Sequence, residues 1–184
     1  MSVNKKHIES LVKKAQEGEA QAFGEIYDIY IEDIYRFVFY KVGQREIAED
    51  LTEDSFLKAW EKLDTFEQTK HPFSSWLYRI AKNKVIDYFR KEKVSIEELN
   101  IDIADERMET KKSAEQYFNQ KLLQKSLVHL PETQREVVVL RYVNELSHKE
   151  ISEVVGKSEI AVRTLLSRGM AKLKELMKDL RESH

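Results

Sequence analysis

Cysteine is missing from the 184 residues, which excludes disulfides, thiolate zinc sites and cysteine nucleophiles. Proline occurs twice and glycine five times, so long helices are favoured over short strands joined by many turns. No apolar run approaches the roughly 20 residues needed to cross a bilayer. The opening MSVNKKHIES has no signal-peptide core, and the expected location is cytoplasmic. The histidines (His7, His71, His129, His148 and His184) are scattered and form no HExxH-like ligand pair. No P-loop lysine motif or phosphate-binding glycine loop appears either. The expectation is therefore a chain with no metal, no cofactor and no catalytic residues.

What is present is charge and aromaticity. Charged residues make up 35% of the chain and hydrophobic ones 41%, with 8 Phe, 8 Tyr and 2 Trp, enough apolar surface to build a core. The net charge of −2 argues against a uniformly basic nucleic-acid binder, but the charges are segregated. Residues 44–67 carry eight acids and three bases, and residues 70–93 seven bases and two acids. Residues 94–120 return to seven acids against three bases, and residues 157–178 to six bases against two acids. Two basic patches separated by acidic segments suit contact with a polyanion at two places.

Residues 22–42 repeat Phe23, Ile26, Tyr27, Tyr30, Ile34, Phe37 and Val38 at helical spacing, and Gly43 ends the run. These aromatics read as core. From Ile47 to Leu63 an apolar stripe (Ala48, Leu51, Phe56, Ala59, Leu63) is backed by Glu46, Glu49, Asp50, Glu53 and Asp54, with Trp60 at its edge. Acids in the first turns complement the helix dipole, but five are more than the dipole asks for, and a docking surface for a basic partner is the functional reading. A long helix is predicted from about Ser74 to Lys91, capped by Ser74 or Ser75. Leu77, Ile80, Ala81, Val85, Tyr88 and Phe89 face a core. Arg79, Asn83, Ile86 and Arg90 lie opposite, with Trp76 and Asp87 beside them. Lys82 lies off one edge, and Lys84 has to snorkel out of the stripe. Mixed rings, amides and cations suit single-stranded or distorted DNA. A solvated basic face with Trp76 half buried accounts for the same composition.

Residues 94–116 are acidic, poor in large apolar groups and without sustained periodicity, as expected of a flexible interdomain linker. It separates an N-terminal domain, residues 1–93, from a C-terminal domain, residues 117–184. The second begins with a helix from Tyr117 to Leu130. Pro131 is placed in the first turn of the next helix, which carries Val137, Val138, Leu140 and Tyr142. Ser147 and Glu150 form a capping box for a short helix, Gly156 has the place of a left-handed terminator, and Ser158 caps the last helix. Two short helices around a tight turn, the second bearing Arg163, Thr164, Ser167 and Arg168, outline a helix-turn-helix. The predicted class is all-α, two small helical domains joined by a flexible acidic linker.

Four segments in this order are AFGEIYDIYIEDIYRFVFYKVG, AEDLTEDSFLKAWEKLDTF, PFSSWLYRIAKNKVIDYFRK and LPETQREVVVLRYVNELSHKEISEVVGKSEIAVRTLLSRGMAKL. Together they resemble the bacterial sigma factors of the extracytoplasmic function (ECF) type. The resemblance implies a dissociable subunit that directs core RNA polymerase to promoter DNA, with an anti-sigma factor as a usual further partner. It implies that Asp50, Leu51, Glu53 and Asp54 dock on the largest polymerase subunit. It assigns Trp76, Arg79, Lys82, Asn83, Lys84 and Arg90 to recognition and opening of the minus-ten element, Asn83 and the loop before Pro72 helping to hold an extruded base. It assigns Lys157, Ser158, Arg163, Thr164, Ser167 and Arg168 to the minus-thirty-five element. Departures are the pair Glu53-Asp54, where the family commonly has Gln-Glu, and Leu165 and Met170, where other members often carry bases. The competing expectation is a helix-turn-helix regulator that works without polymerase.

Overall fold

The computed structural model describes residues 5–92 and 114–182; among residues 114–121 only the side chain of Asn119 is included. The regular structure in this range is entirely helical. In order it comprises α1 (Lys5–Gln16), α2 (Ala20–Val42), α3 (Arg45–Lys62), a 3-10 turn (Leu63–Thr65), α4 (Phe73–Glu92), α5 (Ala114–Val128), α6 (Glu132–Tyr142), α7 (His148–Val155) and α8 (Glu159–Glu182). The acidic segment expected at 94–116 lies outside the described residues except for its last three, which already belong to α5.

The helix ends follow from local chemistry. Gly43 terminates α2 at φ 71°, its N–H returning to the Phe39 carbonyl, and Gly156 terminates α7 at φ 68°. Both need the left-handed region that glycine enters without a Cβ penalty. The capping box of α7 is complete: Ser147 Oγ accepts from the Glu150 N–H, and Glu150 accepts from the Ser147 N–H. Ser158 Oγ accepts from the Ala161 N–H at the start of α8. Two expected ends are shifted. Pro131 sits just before α6, and α4 starts at Phe73, its first turn closed by the Trp76 N–H donating to the Pro72 carbonyl. Ser74 and Ser75 are therefore inside α4, and Ser75 is buried.

α2 is the axis of the first group. Its buried Ile26, Ile34, Phe37 and Val38 meet α1, α3 and α4, with edge-to-face pairs Tyr27–Phe56 and Phe37–Tyr78. In the second group α8 packs on α5, α6 and α7 around Val137–Leu140, Ile151, Val162 and Leu166. α1, set among lysines, buries Ile8, Leu11, Val12 and Ala15. Its Gln16 Nε2 donates to the carbonyls of both Leu63 and Phe66, at 2.9 Å each, and Gln68 Nε2 donates back to the Glu9 carbonyl. α1 thus holds the turn that leads into α4.

The two groups dock through α4 on α7 and α2 on α5 and α6, so that one continuous hydrophobic core runs through both. A polar seam crosses this contact. The Lys41 ammonium, fully buried, lies 3.6 Å from Glu132 and 4.0 Å from Glu136. Lys82 reaches the same Glu136 at 3.3 Å. Asn144 Nδ2 donates to the Asp33 carbonyl at 2.7 Å. His71 approaches Glu153 at 3.9 Å. Burial pulls Lys41 below the usual lysine range, against the pull of Glu136 and Glu132. Burial also pushes Tyr78 well up, Asp33 adding to the effect and the Asn144 amide opposing it.

Candidate nucleic-acid interface

α4 is presented by an aromatic platform. Phe66 and Phe73 meet edge to face at 5.5 Å, and Trp76 tilts against both, at 4.9 and 5.5 Å, which half-buries its indole. Beyond it α4 exposes Asn83, Ile86 and Arg90, one and two turns apart on one side, and Lys91 and Glu92 at its end. Arg79 is half-buried one turn earlier. Three of the four expected cations are already paired. Lys84 donates to Asp54 of α3 at 2.9 Å, and Lys82 is held by Glu136 across the seam. Arg90 donates to Asp87 on its own helix at 2.8 Å. Arg79 is thus the one predicted cation of α4 without an ion pair among the described residues, and the exposed amide of Asn83 is flanked by the apolar Ile86.

α3 shows a continuous exposed strip of Glu46, Asp50, Glu53, Asp54, Leu57, Trp60 and Glu61, at three- and four-residue steps. Leu51 is half-buried beside it. The charge pattern had marked the acids; it had not marked Leu57, 58% exposed, or Trp60, 41% exposed with its ring edge on Phe23 at 4.9 Å. The signal was available, since Leu57 and Trp60 continue the register of Asp50, Glu53 and Asp54. An apolar centre rimmed by carboxylates is the anatomy of a protein-binding patch.

In the second group α7 and α8 meet through Ile151, Val154, Val162 and Leu166, all buried, with Gly156 turning the chain between them. α8 then exposes Ile160, Arg163, Thr164, Ser167 and Arg168 on one side, with Lys157 and Ser158 exposed in the turn. Arg163 is 3.6 Å from Glu159. The structure therefore brings together the six residues expected at the upstream element and adds Ile160. Among the described residues no group of three potential ligands stands ready for a metal, and no helix is long and apolar enough to cross a membrane.

Comparison with known proteins gives this geometry a context. Residues 26–94 match the model of sigma-70 region 2, and residues 120–173 that of sigma-70 region 4. The ECF RNA polymerase sigma factor BldN of Streptomyces coelicolor is 37% identical over 173 residues, covering 92% of this chain and 65% of that protein. The chain thus spans just under two thirds of BldN. The ECF RNA polymerase sigma factor SigW of Bacillus subtilis is 31% identical over 184 residues, covering 94% of this chain and 98% of SigW. The chain belongs to the ECF sigma factors.

A sigma factor directs core RNA polymerase to promoters, and nothing in these similarities favours a regulator that works without polymerase. Among solved structures, CnrH in complex with the cytosolic domain of CnrY superposes with a TM-score of 0.74 at 26% identity, covering 96% of this chain and 99% of that one. RpoE of Bartonella quintana, bound to the anti-sigma factor NepR, superposes at 0.71 and 24% identity over 85% of this chain and 96% of that one, and so shares the fold. In this sigma factor the region 2 match contains α3 and α4, and the region 4 match contains α6, α7 and residues 159–173 of α8.

Proposed function

We propose that α3 docks the chain on core polymerase through Asp50, Leu51, Glu53 and Asp54, extended by Leu57 and Trp60 towards the C-terminal end of the helix. α4 then captures unstacked minus-ten bases with Asn83 and the loop before Pro72, and α8 reads the minus-thirty-five duplex with Arg163, Thr164, Ser167 and Arg168. Residues 1–93 and 117–184 act as the two working units. The observation that carries the reading is the 2.9 Å ion pair between Asp54 of α3 and Lys84 of α4. This pair brings the exposed strip of α3 and α4 edge to edge, which supports the reading, since docking on one would then align the other. Strand opening is driven by binding to the open form, which needs no nucleotide hydrolysis.

The docked arrangement sets a condition on this activity. Elements centred about 25 base pairs apart are separated by roughly 85 Å of B-DNA. A compact chain of this length is only about 40 Å across. The stretch from 93 to 113, if extended, reaches roughly 70 Å. The two groups therefore part on the promoter, and Lys82 exchanges Glu136 for a DNA phosphate. The seam favours such an exchange, because Lys41 is buried with ion contacts but no hydrogen bond to its ammonium. A buried charge held so loosely recovers little of its desolvation cost.

CnrH and RpoE were each solved with a partner bound, CnrY and the anti-sigma factor NepR. We extend to this chain a partner of that kind, competing with polymerase for the α3 face, and a place of action in the cytoplasm, where core polymerase and promoter DNA are found. The test of the function is transcription by purified core polymerase with and without the chain. Asn83→Ala is expected to reduce promoter opening at least tenfold, read by permanganate reactivity, while leaving affinity for core unchanged. Undiminished opening removes Asn83 from the role.

A further inference from the structure

Ile160 is 75% exposed, the most exposed large apolar side chain among the described residues. A lone exposed aliphatic on a protein surface needs no explanation; its neighbours give this one meaning. It lies three, four and seven residues before Arg163, Thr164 and Ser167, and all four are exposed along one face of α8. It also sits in the leading turn of the second helix of the helix-turn-helix, the part that approaches base edges. Nothing in helix formation calls for isoleucine there. A β-branched side chain is a poorer helix former than alanine or glutamate, and at this exposure it gains no packing to offset that.

Thr164 adds a second observation. Its Oγ1 donates to the Ile160 carbonyl at 3.0 Å. The hydroxyl's single proton is spent on its own helix, so Thr164 has an acceptor and a methyl left for a base, and no donor. Ile160 and Thr164, one turn apart, together supply an aliphatic surface beside the Arg163 guanidinium. In the major groove only one base offers an aliphatic partner, thymine, through its C5 methyl. Arginine beside it suits a neighbouring guanine.

We propose that Ile160, with the methyl of Thr164, reads a thymine in the upstream promoter element by direct contact with its C5 methyl. This rests on α8 being the reader helix, and adds to that reading a residue and a base. Ile160 determines specificity here: it discriminates thymine from cytosine or from the methyl-free analogue, with no hydrogen bond of its own.

The experiment uses holoenzyme assembled from core polymerase and the full chain, on a promoter fragment from which it initiates. Each thymine of the upstream element is replaced in turn by deoxyuridine, which deletes only the methyl. Competition binding is measured for wild type, Ile160→Ala and Arg163→Ala. At one thymine the wild type is expected to lose about fourfold in affinity, the value of roughly one buried methyl group. Ile160→Ala is expected to bind the thymine duplex about as weakly as wild type binds the deoxyuridine duplex, and to ignore the substitution. A wild type indifferent to every deoxyuridine, or an Ile160→Ala variant as sensitive as wild type, overturns the proposal. So does a loss in Ile160→Ala that appears already in assembly with core, without DNA. Arg163→Ala separates the two levels. If it weakens upstream binding while the deoxyuridine series is silent, the thymine contact alone fails. If neither variant affects upstream binding, the assignment of α8 fails with it. Ile160 is a surface residue, and an unchanged thermal midpoint for Ile160→Ala excludes misfolding as the cause.

Discussion

Trp60 and Tyr30 illustrate two kinds of aromatic in one helical group. Trp60 keeps 41% of its surface in solvent while braced by Phe23, a preformed anchor at the C-terminal end of the acidic α3 strip. Aromatic anchors of this type dominate protein interfaces, and truncating one commonly costs about 2 kcal/mol or more, near thirtyfold in affinity. Trp60→Ala should weaken binding to core polymerase by that order in fluorescence anisotropy, with the denaturation midpoint little changed; unaltered affinity would move the docking surface elsewhere. Tyr30 is half-buried, its hydroxyl pushed up to about 12 by burial, with Glu150 and Asp33 adding their negative charges. A raised folded-state value means that this tyrosine contributes stability below pH 10 that is lost as pH climbs towards 12. By pH 11 the loss is about 1.4 kcal/mol, and Tyr30→Phe should abolish that part of the alkaline slope in urea titrations at pH 9 and 11. Lys41 runs the other way: burial lowers it, so its cost is present while it is charged and is relieved as pH rises towards the ordinary lysine range.

At the scale of elements, α6 and α8 approach so closely that Gly169 has no room for a side chain. A Cβ there would lie 2.9 Å from Val138 Cγ2 and 3.4 Å from Gln134 Cβ. Alanine gains about 1 kcal/mol of helix propensity over glycine, but forcing apart two packed helices costs about 1–3 kcal/mol. Valine is stiff and fully packed, so the second effect should win. Gly169→Ala is expected to lower stability by about 1 kcal/mol in urea denaturation, and a gain would show that the α6–α8 contact yields freely. The elements themselves were mostly legible, because the 3.6-residue period of α2, α4 and α8, the start signal Ser147 and the stop signals Gly43 and Gly156 are local. α1 carried the same period in Ile8, Leu11, Val12 and Ala15 but lay among lysines, outside the segments that drew attention. The start of α4 was misplaced by a residue or two because Pro72, not a serine, supplies the first carbonyl. Of the site, charge segregation and family motifs exposed the polar residues of α3, α4 and α8. Leu57 and Ile160 carry no charge and so lie outside a search by charge, although each shares a helical face with the polar residues around it, Leu57 with Glu53 and Asp54 and Ile160 with Arg163 and Thr164.

For the whole molecule, the seam between the helical groups was beyond sequence reasoning. Lys82 and Glu136 stand 54 positions apart, and no period or motif pairs them; their meeting depends on how two finished helical units choose to dock. That docking leaves the exposed face of α8 in solvent and occupies Lys82 of α4. On the proposed roles, the chain would hold its duplex-reading side ready while its strand-opening side is partly engaged with itself. Continuity of the apolar interior carries a mechanical corollary. If a protease site placed between residues 93 and 113 is cleaved, the severed pieces should still migrate as a single species in gel filtration, held by burial alone. Glu136→Lys, which sets a third cation against Lys41 and Lys82, should let the same two pieces elute apart. Covalent continuity would then matter only once polymerase and promoter have drawn the pieces away from each other, where the peptide tether keeps one within reach of the other.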